Sequence, residues 1–182
     1  MEPRRSQSDG ADGTAAAVDD ALRSLARKPL TEAEVARRLA ARGHPPAAVA
    51  TALERLRERG YLNDSELAFD YIVLRAERLG HGPERLIGDL VERGVSPEVA
   101  EAAWKTAVDR EAVAPVELLR RQIRRRMPGG AGHDRKSRAR VYNALLRAGF
   151  DGALVRRELE TYRVASDPSG EPTGDGMNDD LP

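Results

Sequence analysis

Apolar residues along this chain recur at helical intervals, and the intervals restart at glycines. Leu39, Gly43, His44, Val49, Leu53 and Leu56 set one spacing. Leu90, Gly94, Val95, Ala100, Trp104 and Ala107 repeat it, and so do Leu145, Gly149, Phe150, Val155, Leu159 and Tyr162. In each copy an apolar residue precedes the glycine by four positions, and a new apolar series begins after it. The pattern predicts a helix, a left-handed stop that glycine reaches without a Cβ penalty, and a second helix leaving at an angle. Gly43, Gly94 and Gly149 are thus the structural glycines of a repeat.

Taken in order, residues 1–17 are polar and without periodicity, which predicts a disordered lead. Unit one, residues 18–60, starts with Val18, Ala21, Leu22 and Leu25 in a helix that must end before Pro29. Thr31 and Glu34 form a capping box for the second helix, and Pro45-Pro46 open the third. Unit two, residues 61–109, follows the joint Tyr61-Leu-Asn-Asp64, with Asn63 or Asp64 as N-cap ahead of Leu67, Ala68, Tyr71, Ile72 and Leu74. Pro83 and Ser96-Pro97 start its other helices. Unit three, residues 110–163, opens near Pro115 with Val116, Leu119 and Ile123 inward, and contains a glycine-rich loop at 127–133. Residues 164–182 are Pro/Gly/Asp-rich and predict a disordered acidic tail. Three helical triplets, each with a thin core, predict an all-α, elongated and curved stack with a long concave surface.

Composition agrees. Hydrophobic residues make up 40% but aromatics only 4%, too few for a large sheet. The formal net charge is zero, yet the charges are segregated. Between Arg120 and Arg147, Arg120, Arg121, Arg124, Arg125, Arg126, Arg135, Lys136, Arg138, Arg140 and Arg147 face Asp134 alone. From Asp167 onward Asp167, Glu171, Asp175, Asp179 and Asp180 meet no base. The basic run is either a solvated helix face or a contact surface for a polyanionic or acidic partner. The tail could cover that surface until a polyanion displaces it. Without cysteine there is no disulfide or thiolate chemistry, and no apolar run approaches the length of a membrane span. A cytoplasmic location is expected.

Candidate chemistry is thin. His44, His81 and His133 share no metal-ligand spacing, so no metal or cofactor and no catalytic residue is expected. His44 takes the position of Val95 and Phe150 and should be a partly packed residue at a helix start. Gly80-His-Gly-Pro83 lacks the lysine and strand of a phosphate loop. Trp104 aligns with Leu53 and Leu159 and reads as core. Tyr61 and Tyr71 read as joint packing in preference to partner contacts. Thr31 to Leu56 also resembles a helix-turn-helix, which leaves a duplex-DNA transcription factor as the alternative. Against it, the chain after Gly60 predicts a helix where a winged fold needs two strands.

The ordered set of motifs resembles the RecX family of recombination regulators. The resemblance rests on Ala21-Leu-Arg-Ser-Leu-Ala-Arg-Lys-Pro-Leu-Thr31, on Gly60-Tyr-Leu-Asn-Asp64 with Leu67-Ala68, and on Gly82-Pro83 ahead of Leu90 and Gly94-Val95. Asp134-Arg-Lys136 through Gly149-Phe150 completes it, over residues 18–163. The glycine-rich loop and the acidic tail extend the shared pattern. The resemblance implies tandem three-helix repeats and a partner, the RecA recombinase filament on single-stranded DNA, whose ATP hydrolysis, strand exchange and coprotease activity are restrained. It implies a non-enzymatic monomer, with the DNA within reach inside the filament groove. The surface expected to meet the partner is Arg75, Arg78, Arg85, Arg120, Arg121, Arg124, Arg125, Arg126, Arg135, Lys136, Arg138 and Arg140.

Overall fold

A computed structural model describes residues 6–128 and 135–166, with side chains over 13–128 and 135–162. Residues 129–134, which take in most of the glycine-rich loop, and the acidic segment from 167 lie outside the described residues. The described residues form helices without a strand: α1 Ser6–Leu25, α2 Glu32–Ala41, α3 Pro46–Glu58, α4 Asp64–Leu79, α5 Pro83–Glu92, α6 Pro97–Asp109, α7 Pro115–Arg126, α8 Arg135–Arg147 and α9 Gly152–Ser166. The helices pack in the three expected triplets, α1–α3, α4–α6 and α7–α9. None of the described helices is long and apolar enough to cross a membrane.

The local signals do what their chemistry requires. Thr31 and Glu34 make both bonds of the capping box at α2. Asn63, one of two candidates, caps α4 by accepting from the Glu66 amide. Ser96 caps α6 with Pro97 in the first turn. Gly43, Gly94 and Gly149 all adopt the left-handed backbone, with φ of 84°, 97° and 87°. After Gly60 the chain continues into α4, where a winged fold would need strands.

Several details depart from the sequence reading. α1 begins at Ser6, well inside the span read as a disordered lead, and Ala17 is fully buried. The run Ala15-Ala16-Ala17 is the strongest helix-forming sequence available, and packing on α3 rewards it. α9 likewise runs past the expected boundary at 163, to Ser166. Leu74, read as part of the inner stripe of α4, is 44% exposed, because Ala68, Ile72 and Ala76 supply the buried face. Tyr61 is 56% exposed; the joint is filled by Leu62 instead. Trp104 packs against the core while only partly buried.

The cores also divide differently from the expected three. Among the described residues, unit one has its own, around Val35, Leu39, Ala52 and Leu56. Units two and three share one continuous core, from Ile72, Leu86 and Leu90 through Leu119 and Ile123 to Leu145 and Phe150.

Candidate partner-binding surface

Two junctions hold the units in register, and both use the ends of the middle helices. At the first, the start of α2 receives the end of α5. The buried Thr31 hydroxyl accepts from Glu34 N and donates to the Arg93 carbonyl at 2.9 Å. Arg93 returns a two-pronged contact to Glu34, with Nε to Oε1 at 3.0 Å and Nη2 to Oε2 at 2.9 Å. This guanidinium holds the Glu34 carboxyl below its usual range, and Glu34 in turn raises Arg93. Asp64 accepts the Glu32 amide at 3.0 Å beside it; burial pushes its carboxyl up. At the second junction the start of α5 receives the end of α8. Gly82 N donates to Ala148 O at 2.7 Å and Glu84 N to Gly149 O at 3.2 Å. The amides that begin a helix are thereby satisfied by the carbonyls that end another.

The basic residues are distributed around this frame in three groups. Arg75 and Arg78 lie exposed on α4, and Arg75 stacks 5.0 Å from the Tyr71 ring centroid. Arg93 stacks on the same ring at 5.5 Å, while the Tyr71 hydroxyl donates to Asp89. Tyr71 is thus joint packing, as expected. Arg85, at the start of α5, reaches the Arg147 carbonyl.

The second group is on α7. Arg121, Arg124 and Arg125 are exposed and form no ion pair among the described residues. Arg121 and Arg124 line a cleft of about 440 Å³ with Glu77, Glu111 and Glu117. Arg120 is different: it bridges Glu117 and Glu158, each at 2.7 Å. Glu158 is 4% exposed, and its carboxyl is held below the usual range by Arg120 and then Arg157. Arg126 folds back on Gln122, donating to its carbonyl and to Oε1; burial and Arg125 lower its pKa. Arg120 and Arg126 are therefore tied into the body of unit three.

The third group is on α8. Arg135, Lys136 and Arg140 are exposed without an ion pair among the described residues, and Arg138 pairs with Glu160 at 3.0 Å. Arg135 and Arg138 join Ala139, Tyr142, Arg156, Leu159 and Glu160 around a groove of about 680 Å³ between α8 and α9. Arg156 stands over the Tyr142 ring and donates to its hydroxyl at 3.0 Å.

Sequence reasoning missed Arg93, Arg156, Glu158 and Glu160. One signal was present: Glu158 sits between Val155 and Leu159 on the inner face of α9, a place for a carboxylate only if a cation meets it. His44, read as partly packed, is tied to α1 through Nε2, 2.8 Å from Asp20 Oδ2.

Residues 17–56 match the family description "RecX, first three-helix domain". The "Regulatory protein RecX" of Halorhodospira halophila is 37% identical over 138 residues, covering 76% of this chain and 83% of that protein. That of Chromohalobacter salexigens is 35% identical over 142 residues, covering 78% and 89%. The crystal structure of RecX from Lactobacillus salivarius superposes with a TM-score of 0.72 at 20% identity, over 85% of this chain and 99% of that one. These relatives carry the name of regulatory proteins, not of enzymes. With more than 30% identity across most of its length to such relatives, the chain belongs to the RecX family of regulatory proteins.

Proposed function

We propose that this protein binds the RecA filament on single-stranded DNA and modulates, mostly by inhibition, its ATP hydrolysis, strand exchange and coprotease activity. The observation that carries the reading is the set of cations left without carboxylate partners on α7 and α8: Arg121, Arg124, Arg125, Arg135, Lys136 and Arg140. Such guanidinium and ammonium groups suit the phosphates and acidic side chains of a protein–DNA groove. Arg75, Arg78 and Arg85 extend the contact along the repeats, while Arg120 and Arg126 support it from beneath. The protein works as a monomer in the cytoplasm and without a cofactor. Its mechanism is differential binding: it favours a filament conformation less able to turn over ATP, and the population follows. The duplex-DNA reading has less support, since the chain runs on into α4 where a wing would stand.

The test is ATP hydrolysis by the cognate RecA on single-stranded DNA with this protein titrated in. Inhibition well below one copy per protomer indicates capping of filament ends, and inhibition near saturation indicates coating of the groove. No inhibition together with no filament binding would refute the proposal.

A further inference from the structure

The groove between α8 and α9 has an apolar floor of Ala139, Tyr142 and Leu159 under a basic rim. Its one lining carboxylate, Glu160, is already engaged by Arg138. Arg135 and Arg156 have no carboxylate partner among the described residues. The cleft on α7 differs in kind, because Glu77, Glu111 and Glu117 share it with Arg121 and Arg124. The α8–α9 groove is thus the basic site whose charge is least balanced by its own walls.

We propose that the occupant of this groove is the chain's own acidic segment, residues 167–182, folding back over α9. That segment carries Asp167, Glu171, Asp175, Asp179 and Asp180 without a base, and the apolar residues Met177 and Leu181. Its chemistry matches both parts of the groove: carboxylates for Arg135 and Arg156, and a thioether or leucyl side chain for the Tyr142 floor. Position favours it too. Asp167 follows Ser166, the last residue of α9, and Glu160 near that end is bonded to Arg138 of α8. Arg156 lies about 15 Å back along the helix from Ser166. An extended segment of this length spans about 50 Å, ample for the return. Tethering gives it an effective concentration of about millimolar, above that of a free acidic peptide of similar composition. Docked, it competes with any polyanion for Arg135 and Arg156. The inference does not depend on which partner the protein has.

The test compares amide 1H–15N spectra of the full chain with those of a chain ending at Ser166. A third sample carries Asp167→Asn, Glu171→Gln, Asp175→Asn, Asp179→Asn and Asp180→Asn. At low salt the full chain should differ from the other two at Ala139, Tyr142, Arg156 and Leu159, and the differences should vanish at about 0.5 M salt. Differences gathered instead at Arg121, Arg124 and Arg125 would overturn the assignment and place the segment on α7. Spectra alike everywhere except beside the cut would overturn docking altogether, and the filament reading would stand unaffected.

Discussion

A Cβ placed on Gly149 would stand 2.4 Å from the Arg85 amide nitrogen and 2.6 Å from its Cβ, whereas one on Gly43 meets nothing within 4 Å. Both glycines share nearly the same left-handed backbone. The pair therefore separates the conformational cost of a turn from the cost of a close approach. Gly43→Ala should destabilise by about 1 kcal/mol, the left-handed penalty alone. Gly149→Ala should cost about 3 kcal/mol or more, because it also forces α5 off α8. Urea unfolding of the two variants checks the difference. A second residue-scale expectation concerns acid. His44, Arg23 and Arg42 lower the Asp20 carboxyl from 3.8 to about 2. A folded-state pKa below the unfolded one gives stability that is present above the ordinary range and lost as pH falls toward about 2. Asp20→Asn should flatten the fall of unfolding free energy between about pH 4 and pH 2, measured by urea titration at stepped pH.

At the scale of elements, α5 is the link, held at its start by α8 and at its end by α2. Arg93 is the part of that link most easily removed. Arg93→Ala leaves Glu34, 19% exposed at its side chain, without its cation, and should cost about 1–2 kcal/mol. Amide exchange should rise in α1–α3 and change little in α4–α9, since those helices share a separate core. α7 offers the complementary experiment on function. Reversing Arg121, Arg124 and Arg125 to glutamate removes no described ion pair, so helicity should hold while filament affinity falls at least tenfold in a salt-controlled binding assay. Arg120→Glu, by contrast, should lower stability, because Glu158 would face a second negative charge.

At the scale of the molecule, two separate cores predict two steps in unfolding. Unit one should lose exchange protection first, with units two and three opening together at higher urea. This division was not legible in the sequence, where three similar spacings suggested three similar cores. The turns and caps were legible because their partners are close in sequence: Thr31 and Glu34, Ser96 and Val99, and the repeat glycines. The left-handed turn after α6 had no glycine to signal it, because Glu111, with φ of 57°, stands where Gly60 does the same work after α3. The basic surface was legible as a composition but not as a geometry. Arg120 and Arg121 are neighbours in sequence, yet Arg120 is claimed by a carboxylate 38 positions away while Arg121 pairs with none among the described residues. Arg93 was passed over for the same reason, its partner Glu34 lying 59 positions back.

The end-to-start contacts of the middle helices have one more consequence. α8 hands its final carbonyls to α5, and α5 hands its own to the start of α2, so both junctions among the described residues run in the same order. At Gly43 the same turn recurs with open space before it. The body therefore has a front and a back that no rotation exchanges. A polymer with a direction of its own would receive it one way round, so copies bound along such a polymer would all point alike.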